Sequence, residues 1–379
     1  MRHALVRRTL LQAAPLSRAE LAERTGLSRP AMTEICQELT ELGLVRETGV
    51  RTPSRSTVGR RRAQLDLVAD AAYAVGILVA AENSAVTILD LKGRIVATQR
   101  FQPPSGPPRP ALSFLAVAAE EQLACAGIPA ERVVGVGVSV PGVVDPNAGR
   151  LQLSPFFGWS DVPVRAIFEA VFGPRVTVAS PVQAIAVAEL LFGTAARFPG
   201  ADLALVNVST AIAAAFVFDG RLQQGTGNAS GQIGHVPVDA RGPRCRCGRR
   251  GCLDAVASGD ALVARAAQDG LEYGSFSDLL GAAEDGDARA LDLLDYSARQ
   301  VGTVVGDLMT MLDPTVVAVS GMVLRLGTWY VDRVREAALA RAFIVSEGGP
   351  RIVASAFGVE AGAVGSAAIA LDKFAYRPE

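Results

Sequence analysis

At 379 residues, half of them apolar, the chain is too long for one small domain and long enough to bury a sizeable core. No apolar run reaches the ~18 to 20 residues that a membrane span needs. The opening MRHALVRRTLLQ has neither a long apolar region nor a cleavage site, so a soluble cytoplasmic protein is expected. The formal net charge of -1 hides an asymmetry: residues 1–68 carry twelve arginines against six glutamates and one aspartate, a net +5, which leaves about -6 for the rest. A basic head on an acidic body suits a polyanion bound by the head alone; a merely solvated basic surface is the alternative.

The head opens with a helix-like stretch, Arg2 to Ala13, closed by Pro15. Ser17 followed by Glu20 is a capping box that starts a second helix, and Gly26 ends it after about two turns. Ser28 caps a third helix, Arg29 to Leu42, whose apolar positions Met32, Ile35, Cys36, Leu39 and Leu42 recur at three- and four-residue spacing. A short helix, a Gly-containing turn and a longer helix make a helix-turn-helix. In that motif the N-terminal part of the second helix enters the major groove. The DNA-contacting set expected here is Ser17 and Arg18 at the start of the first motif helix, Ser28, Arg29, Thr33 and Gln37 on the second, and Arg60 and Arg61 beyond it. Leu44–Glu47 and Ala63–Leu67 read as the strands of a small wing. The loop between them holds Arg51, Arg55, Arg60, Arg61 and Arg62, side chains suited to phosphates or a narrow minor groove. The competing reading is a three-helix protein-interaction bundle with a basic linker. Cys36, inside the apolar stripe, reads as a small core residue.

From Tyr73 the pattern becomes strand, turn, strand: Tyr73–Val79, Ala85–Asp90, a Lys92-Gly93 turn and Arg94–Arg100. The segment QPPSGPPRP reads as a loop, Leu112–Ala126 as an Ala-rich helix and Val133–Val140 as a buried strand. Helices and strands alternate to the end, so an α/β body with helix-covered sheets is expected. Of the five cysteines, Cys36 and Cys125 stand alone, while Cys245, Cys247 and Cys252 fall within eight residues, a clustering that points to metal before disulfide.

The helix-turn-helix, Gly135-Val-Gly-Val-Ser-Val-Pro-Gly142, Gly231-Gln-Ile-Gly-His235, the run from Cys245 to Cys252, Asp313-Pro314 with Ser320-Gly321, and the closing Ala363–Ala370 helix together resemble the ROK family of repressors, open reading frames and sugar kinases. The resemblance spans nearly the whole chain. It implies a winged helix-turn-helix over residues 1–70, then an actin-like, sugar-kinase-like α/β fold of two lobes, 71–180 and 181–379, with a sugar cleft between them and the C-terminal helix returning to the first lobe. It also implies a homodimer or homotetramer, and a dimer would place two heads on a pseudo-palindromic operator.

The same resemblance implies one structural zinc per chain, held by His235, Cys245, Cys247 and Cys252. Three thiolates and an imidazole form a closed tetrahedral set with no position left for water. Gly248 and Gly251 would let the backbone turn tightly, and Arg244, Arg246, Arg249 and Arg250 would offset the thiolate charge. In the family His235 also faces the sugar.

The family's kinase features are missing. Its first phosphate turn falls on Val79-Ala80-Ala81-Glu82-Asn83, without glycine, and its second on Ser209-Thr210-Ala211-Ile212-Ala213, where added Cβ atoms would crowd a phosphate. Its Asn-Asp pair, which carries the catalytic base, falls on Ser180-Pro181, and proline cannot be a general base. Gln183 stands where many members have Asn. Two sugar-binding glutamates are Gln232 and Asp254 here. These substitutions imply no kinase activity and an altered effector site of Ser180, Gln232, His235 and Asp254, for a sugar or sugar derivative. The alternatives are an effector-independent regulator with an empty pocket, and a sugar kinase with an appended head.

Overall fold

α1 (Arg2–Ala13) buries Ala4, Val6 and Leu10, the last two at the four-residue spacing of one helix face. β1 (Leu16–Ser17) leads into α2 (Arg18–Thr25), whose capping box is complete: the Ser17 hydroxyl accepts from the Glu20 N–H, and Glu20 Oε2 accepts from the Ser17 N–H at 2.8 Å. Gly26, at φ 69°, supplies the left-handed residue that stops α2. α3 (Arg29–Glu41) is capped by Ser28 and buries Met32, Ile35, Cys36 and Leu39. Each of these side chains contributes on the order of 1.5–3 kcal/mol by leaving water. The wing forms as β2 (Val45–Thr52) against β3 (Arg62–Leu67), antiparallel, with β3 central in the order β1-β3-β2.

The computed structural model describes residues 2–52, 62–80, 83–102, 106–198, 200–343 and 349–377. The chain divides into two units, Met1–Val187 with Ala363–Glu379, and Ala188–Gly362. In the first, β4 (Tyr73–Leu78), β5 (Ser84–Asp90) and β6 (Ile95–Phe101) form an antiparallel meander. α4 (Pro108–Cys125) follows, starting four residues before the expected Leu112 because prolines at positions 108 and 110 are tolerated in a first turn, where no intrahelical N–H bond is lost. β7 (Val133–Ser139) lies parallel to β4. A small antiparallel sheet of β8 (Val143–Asp145), β9 (Arg150–Ser154) and β10 (Trp159–Val162) precedes α5 (Val164–Phe172), β11 (Val176–Ala179) and α6 (Pro181–Leu191). The main sheet runs β11-β7-β4-β5-β6. Leu112, Leu115, Ala119, Ile167 and Phe168 of α4 and α5 pack in its core.

The second unit holds β12 (Leu203–Val208), β13 (Ile212–Phe218), β14 (Arg221–Leu222), β15 (Val316–Ser320) and β16 (Arg351–Ala354), in the order β14-β13-β12-β15-β16. As in the first sheet, an antiparallel meander is extended on its inner edge by two parallel strands. The two sheets therefore repeat one topology, the duplication expected of an actin-like fold. α7 (Leu253–Ala257), α8 (Gly259–Gln268), α9 (Phe276–Glu284), α10 (Ala288–Leu312) and α11 (Trp329–Arg341) share a core with this sheet.

α12 (Ala361–Leu371) and the π turn Asp372–Tyr376 close the first unit. Gly76 and Gly137 serve this packing: a Cβ at Gly137 would stand 1.8 Å from the Ser366 carbonyl oxygen, and one at Gly76 2.2 Å from the Ala367 nitrogen, whereas Gly135 faces Phe374 of the π turn and Gly142 the Leu153 carbonyl. Ser139 and Ser366 join their hydroxyls across the same seam at 2.6 Å. Beyond it, the π turn meets α1, and Lys92 Nζ, in the β5–β6 turn, meets Asp66 Oδ2 of β3 at 2.6 Å, so both the C-terminal turn and the first sheet hold the head.

Candidate metal centre and nucleic-acid interface

Ser28, Arg29, Thr33 and Gln37 are exposed on the first turns of α3, opposite its buried stripe. The Thr33 hydroxyl donates to the Arg29 carbonyl at 3.0 Å, and the Gln37 amide to Glu41 at 2.9 Å, bonds at the helix surface that a groove-binding pose would exchange. Arg18 is half-buried and pairs with Glu47 of the wing at 3.3 Å. Ser17 requires a correction. It is 2% exposed and its hydroxyl both caps α2 and donates to Glu20 at 2.7 Å, so it is a structural residue with no face for DNA. Arg60 and Arg61 lie outside the described residues.

In the second unit the segment from Gly231 crosses behind β13. Gly231, at φ +83°, is required because a Cβ there would stand 1.9 Å from the Ala214 carbonyl oxygen. A 3₁₀ turn, Ile233–His235, then presents His235, and the loop to α7 presents Cys245, Cys247 and Cys252. The four donor atoms lie within 4.8 Å of one another. Cys245 Sγ is 3.5 Å from His235 Nδ1, and Cys247 Sγ is 3.6 Å from Cys252 Sγ. A tetrahedral zinc with its usual bond lengths requires about 3.5 Å between N and S and about 3.8 Å between two S atoms, so the donor set fits that ion. Gly251, at φ +63°, lets the loop pass the Asp239 carbonyl, which a Cβ would approach to 1.5 Å.

The backbone N–H and side chain of Arg249 hold the Cys247 thiol down at about 7, whereas burial, followed by its thiol neighbours, pushes Cys252 up to about 12. Two of the other arginines bond to oxygen acceptors. Arg246 pairs with Asp260 at 2.8 Å and Arg250 donates to the Gly242 carbonyl at 3.4 Å.

Of the positions expected around an effector, Ser180 is in the first unit and Gln232, His235 and Asp254 are in the second. Gln232 is exposed. Asp254 accepts the Ile212 N–H at 2.9 Å, and burial raises its carboxyl above the ordinary value. The backbone donor at Ile212 had no sequence signal, because it arises only when α7 packs against β13. Ser180 is buried and gives its N–H to Gln183 Oε1 at 3.2 Å, with Pro181 as the first residue of α6. Ser209 Oγ accepts the Met322 N–H at 3.1 Å.

A helix-turn-helix head on an actin-like, sugar-kinase-like body with a His-Cys-Cys-Cys donor set defines a class, the sugar-kinase-like transcription regulators. The chain belongs to the ROK family: the model of that family matches residues 74–373, and that of the MarR family matches residues 8–56. The chain is similar to the xylose repressor of Bacillus spizizenii, 25% identical over 370 residues that cover 98% of this chain and 94% of the repressor. A ROK family transcriptional regulator homologous to the Escherichia coli MLC protein superposes with a TM-score of 0.82 at 23% identity, covering 99% of this chain and 96% of that one. The ROK hexokinase of Thermus thermophilus superposes with a TM-score of 0.64 at 29% identity, covering 78% of this chain and 97% of the enzyme. No helix among the described residues is long and apolar enough to cross a membrane.

Proposed function

We propose that the chain is a DNA-binding transcriptional repressor of the cytoplasm whose body binds a sugar or sugar derivative without phosphorylating it. The observation that carries this reading is α3, buried on one face and exposing Ser28, Arg29, Thr33 and Gln37 on the other, ahead of a ROK body. The similarity to a xylose repressor over almost the full chain supports it. Residues 1–70 form the DNA-binding head, with the Arg60–Arg61 segment and Arg18 reaching phosphates, and a homodimer or homotetramer sets two heads on a two-fold operator.

His235, Cys245, Cys247 and Cys252 would hold one zinc, which would cross-link the loop and supply no chemistry, since four protein ligands leave no open position. His235 turns Nδ1 to the donor set, so Nε2 is the nitrogen for an effector hydroxyl, beside Gln232 and Asp254 of the same unit. Loss of phosphoryl transfer rests on Pro181. It has no carboxylate and occupies a helix start, while the neighbouring Ser180 N–H is committed to Gln183.

The experiment is binding of the zinc-loaded protein to DNA from its own promoter across a salt series, with and without sugars, sugar phosphates and amino sugars. Specific binding that one compound changes supports an effector-controlled regulator. Specific binding indifferent to every compound supports an empty pocket, and absence of specific binding overturns the regulator. Turnover of ATP with any sugar overturns the non-kinase assignment.

A further inference from the structure

A cavity of about 680 Å³ lies wholly within the second unit, between the metal-site loop on one side and α8 with Tyr296 of α10 on the other. Its size falls within the range of small-molecule sites. Gln232 and His235 do not line it, whereas Asp254, Arg241, Arg244, Arg246 and Arg265 do. Two of the guanidiniums are engaged: Arg246 with Asp260 at 2.8 Å, and Arg265 over the Tyr296 ring at 4.2 Å. Among the described residues, Arg241 and Arg244 are exposed and have no ion-pair partner. They flank Gly242 and Pro243, and Arg244 adjoins Cys245 of the donor set.

The carboxylates on the lining are placed differently. Asp260 is neutralised by Arg246, one oxygen of Asp254 accepts the Ile212 N–H, and Asp239 Oδ1 accepts the Arg241 N–H at 2.9 Å. Asp269 closes the far end, after the last turn of α8. The loop end of the cavity, with Arg241 and Arg244 against Asp239, therefore carries a net positive charge, and the remaining carboxylate oxygens have no donor among the described residues. Paired guanidiniums recognise the oxygens of a phosphate ester, and carboxylates accept from sugar hydroxyls.

We propose that this cavity binds a phosphorylated sugar or polyol, with its phosphate on Arg241 and Arg244 and its hydroxyls on Asp239 and Asp269. The assignment does not depend on the regulator reading, and of the effector positions described above the cavity shares only Asp254, which the proposed contacts do not use.

The test is a thermal melt and calorimetric titration of the zinc-loaded full chain with glucose 6-phosphate, glucose, inorganic phosphate and sulfate at constant ionic strength. Glucose 6-phosphate raises Tm by several degrees at millimolar concentration, inorganic phosphate raises it less, and glucose and sulfate leave it unchanged. The Arg241→Gln/Arg244→Gln double variant, with its metal content and ligand-free Tm unchanged, loses affinity for the ester by at least tenfold. Ala264→Trp, which fills the cavity from the exposed face of α8 and leaves the loop intact, loses it as well. A shift that persists in both variants places the ester elsewhere and overturns the proposal, as does no shift at all or an equal shift from sulfate. Inorganic phosphate binding as tightly as the ester overturns the sugar assignment.

Discussion

Arg7, on the first helix of the head, donates through Nε to the backbone carbonyl of Ala375 at 2.9 Å, a bond across 368 residues of sequence. Arg8 approaches Asp372 at 4.0 Å, and Arg377 holds the same carboxylate at 2.5 Å. The C-terminal turn is thus the seat of the DNA-binding head. Arg7→Met removes a charge-assisted bond worth roughly 1.5–3 kcal/mol. Amide hydrogen exchange is expected to quicken in residues 2–13 and 372–377 together while α10 keeps its protection. Acceleration in only one of the two segments would show that they are not coupled.

For the zinc proposed at the donor set, a chelator, or replacement of Cys252 by Ser, is expected to lower metal content from one ion per chain to none and to reduce Tm. The DNA-binding head keeps its helical signal, since its core shares no residue with the loop. Elemental analysis alongside a thermal melt checks both. A chain that is metal-free as purified and melts unchanged with chelator would show the donor set to be vacant by nature.

Ser17→Ala is expected to cost about 1 kcal/mol of stability as a lost helix cap. Glu20→Gln carries the pH signature. The Ser17 hydroxyl and N–H hold the Glu20 carboxyl below its ordinary value, so its contribution is present above the unfolded-state pKa and lost as pH falls through the folded one. The Tm gap between wild type and Glu20→Gln is therefore widest at neutral pH and closes in acid below the ordinary carboxylate range. A gap that stayed constant down to pH 3 would mean that the charge of Glu20 is irrelevant to the cap.

Arg29→Ala and Gln37→Ala are expected to weaken operator binding by about 1–3 kcal/mol each with Tm unchanged, because both side chains are exposed. Ser17→Ala shows the reverse pattern, a lower Tm with operator affinity preserved once the protein is folded. Titrations at a fixed salt concentration separate the two classes.

Gly137→Ala should be far more damaging than Gly248→Ala. The first Cβ would meet the Ser366 carbonyl at 1.8 Å and displace α12, an overpacking cost of ~1–3 kcal/mol or more, whereas the second meets open space and pays only for its positive φ. Denaturant midpoints of the two variants give the ranking.

Much of the head was legible because its signals are local. A capping box, a left-handed glycine and a four-residue apolar stripe each act within one or two turns, so α2 and α3 follow from the order of residues alone. The donor set was legible for the same reason in part, since three of its cysteines sit within eight residues and only His235 comes from the preceding turn. The reading failed at Ser17, where a polar residue at a helix start serves equally as a cap or a DNA contact. The choice between them is made by burial under β3, which pairs Ser17 with Gln64.

Composition and local pattern by themselves determined a basic helix-turn-helix head, an α/β body and a cysteine cluster suited to metal. Tertiary structure alone decided that the two sheets repeat one strand order, that Gly76 and Gly137 admit α12, that Arg7 is seated on Ala375, and that Arg241 and Arg244 face a cavity with no ion-pair partner among the described residues. The physical reason is range. Caps, turns and stripes are fixed by neighbours within a few residues, whereas strand order, close backbone approach and the pairing of charges are settled between segments that meet only once the chain has folded.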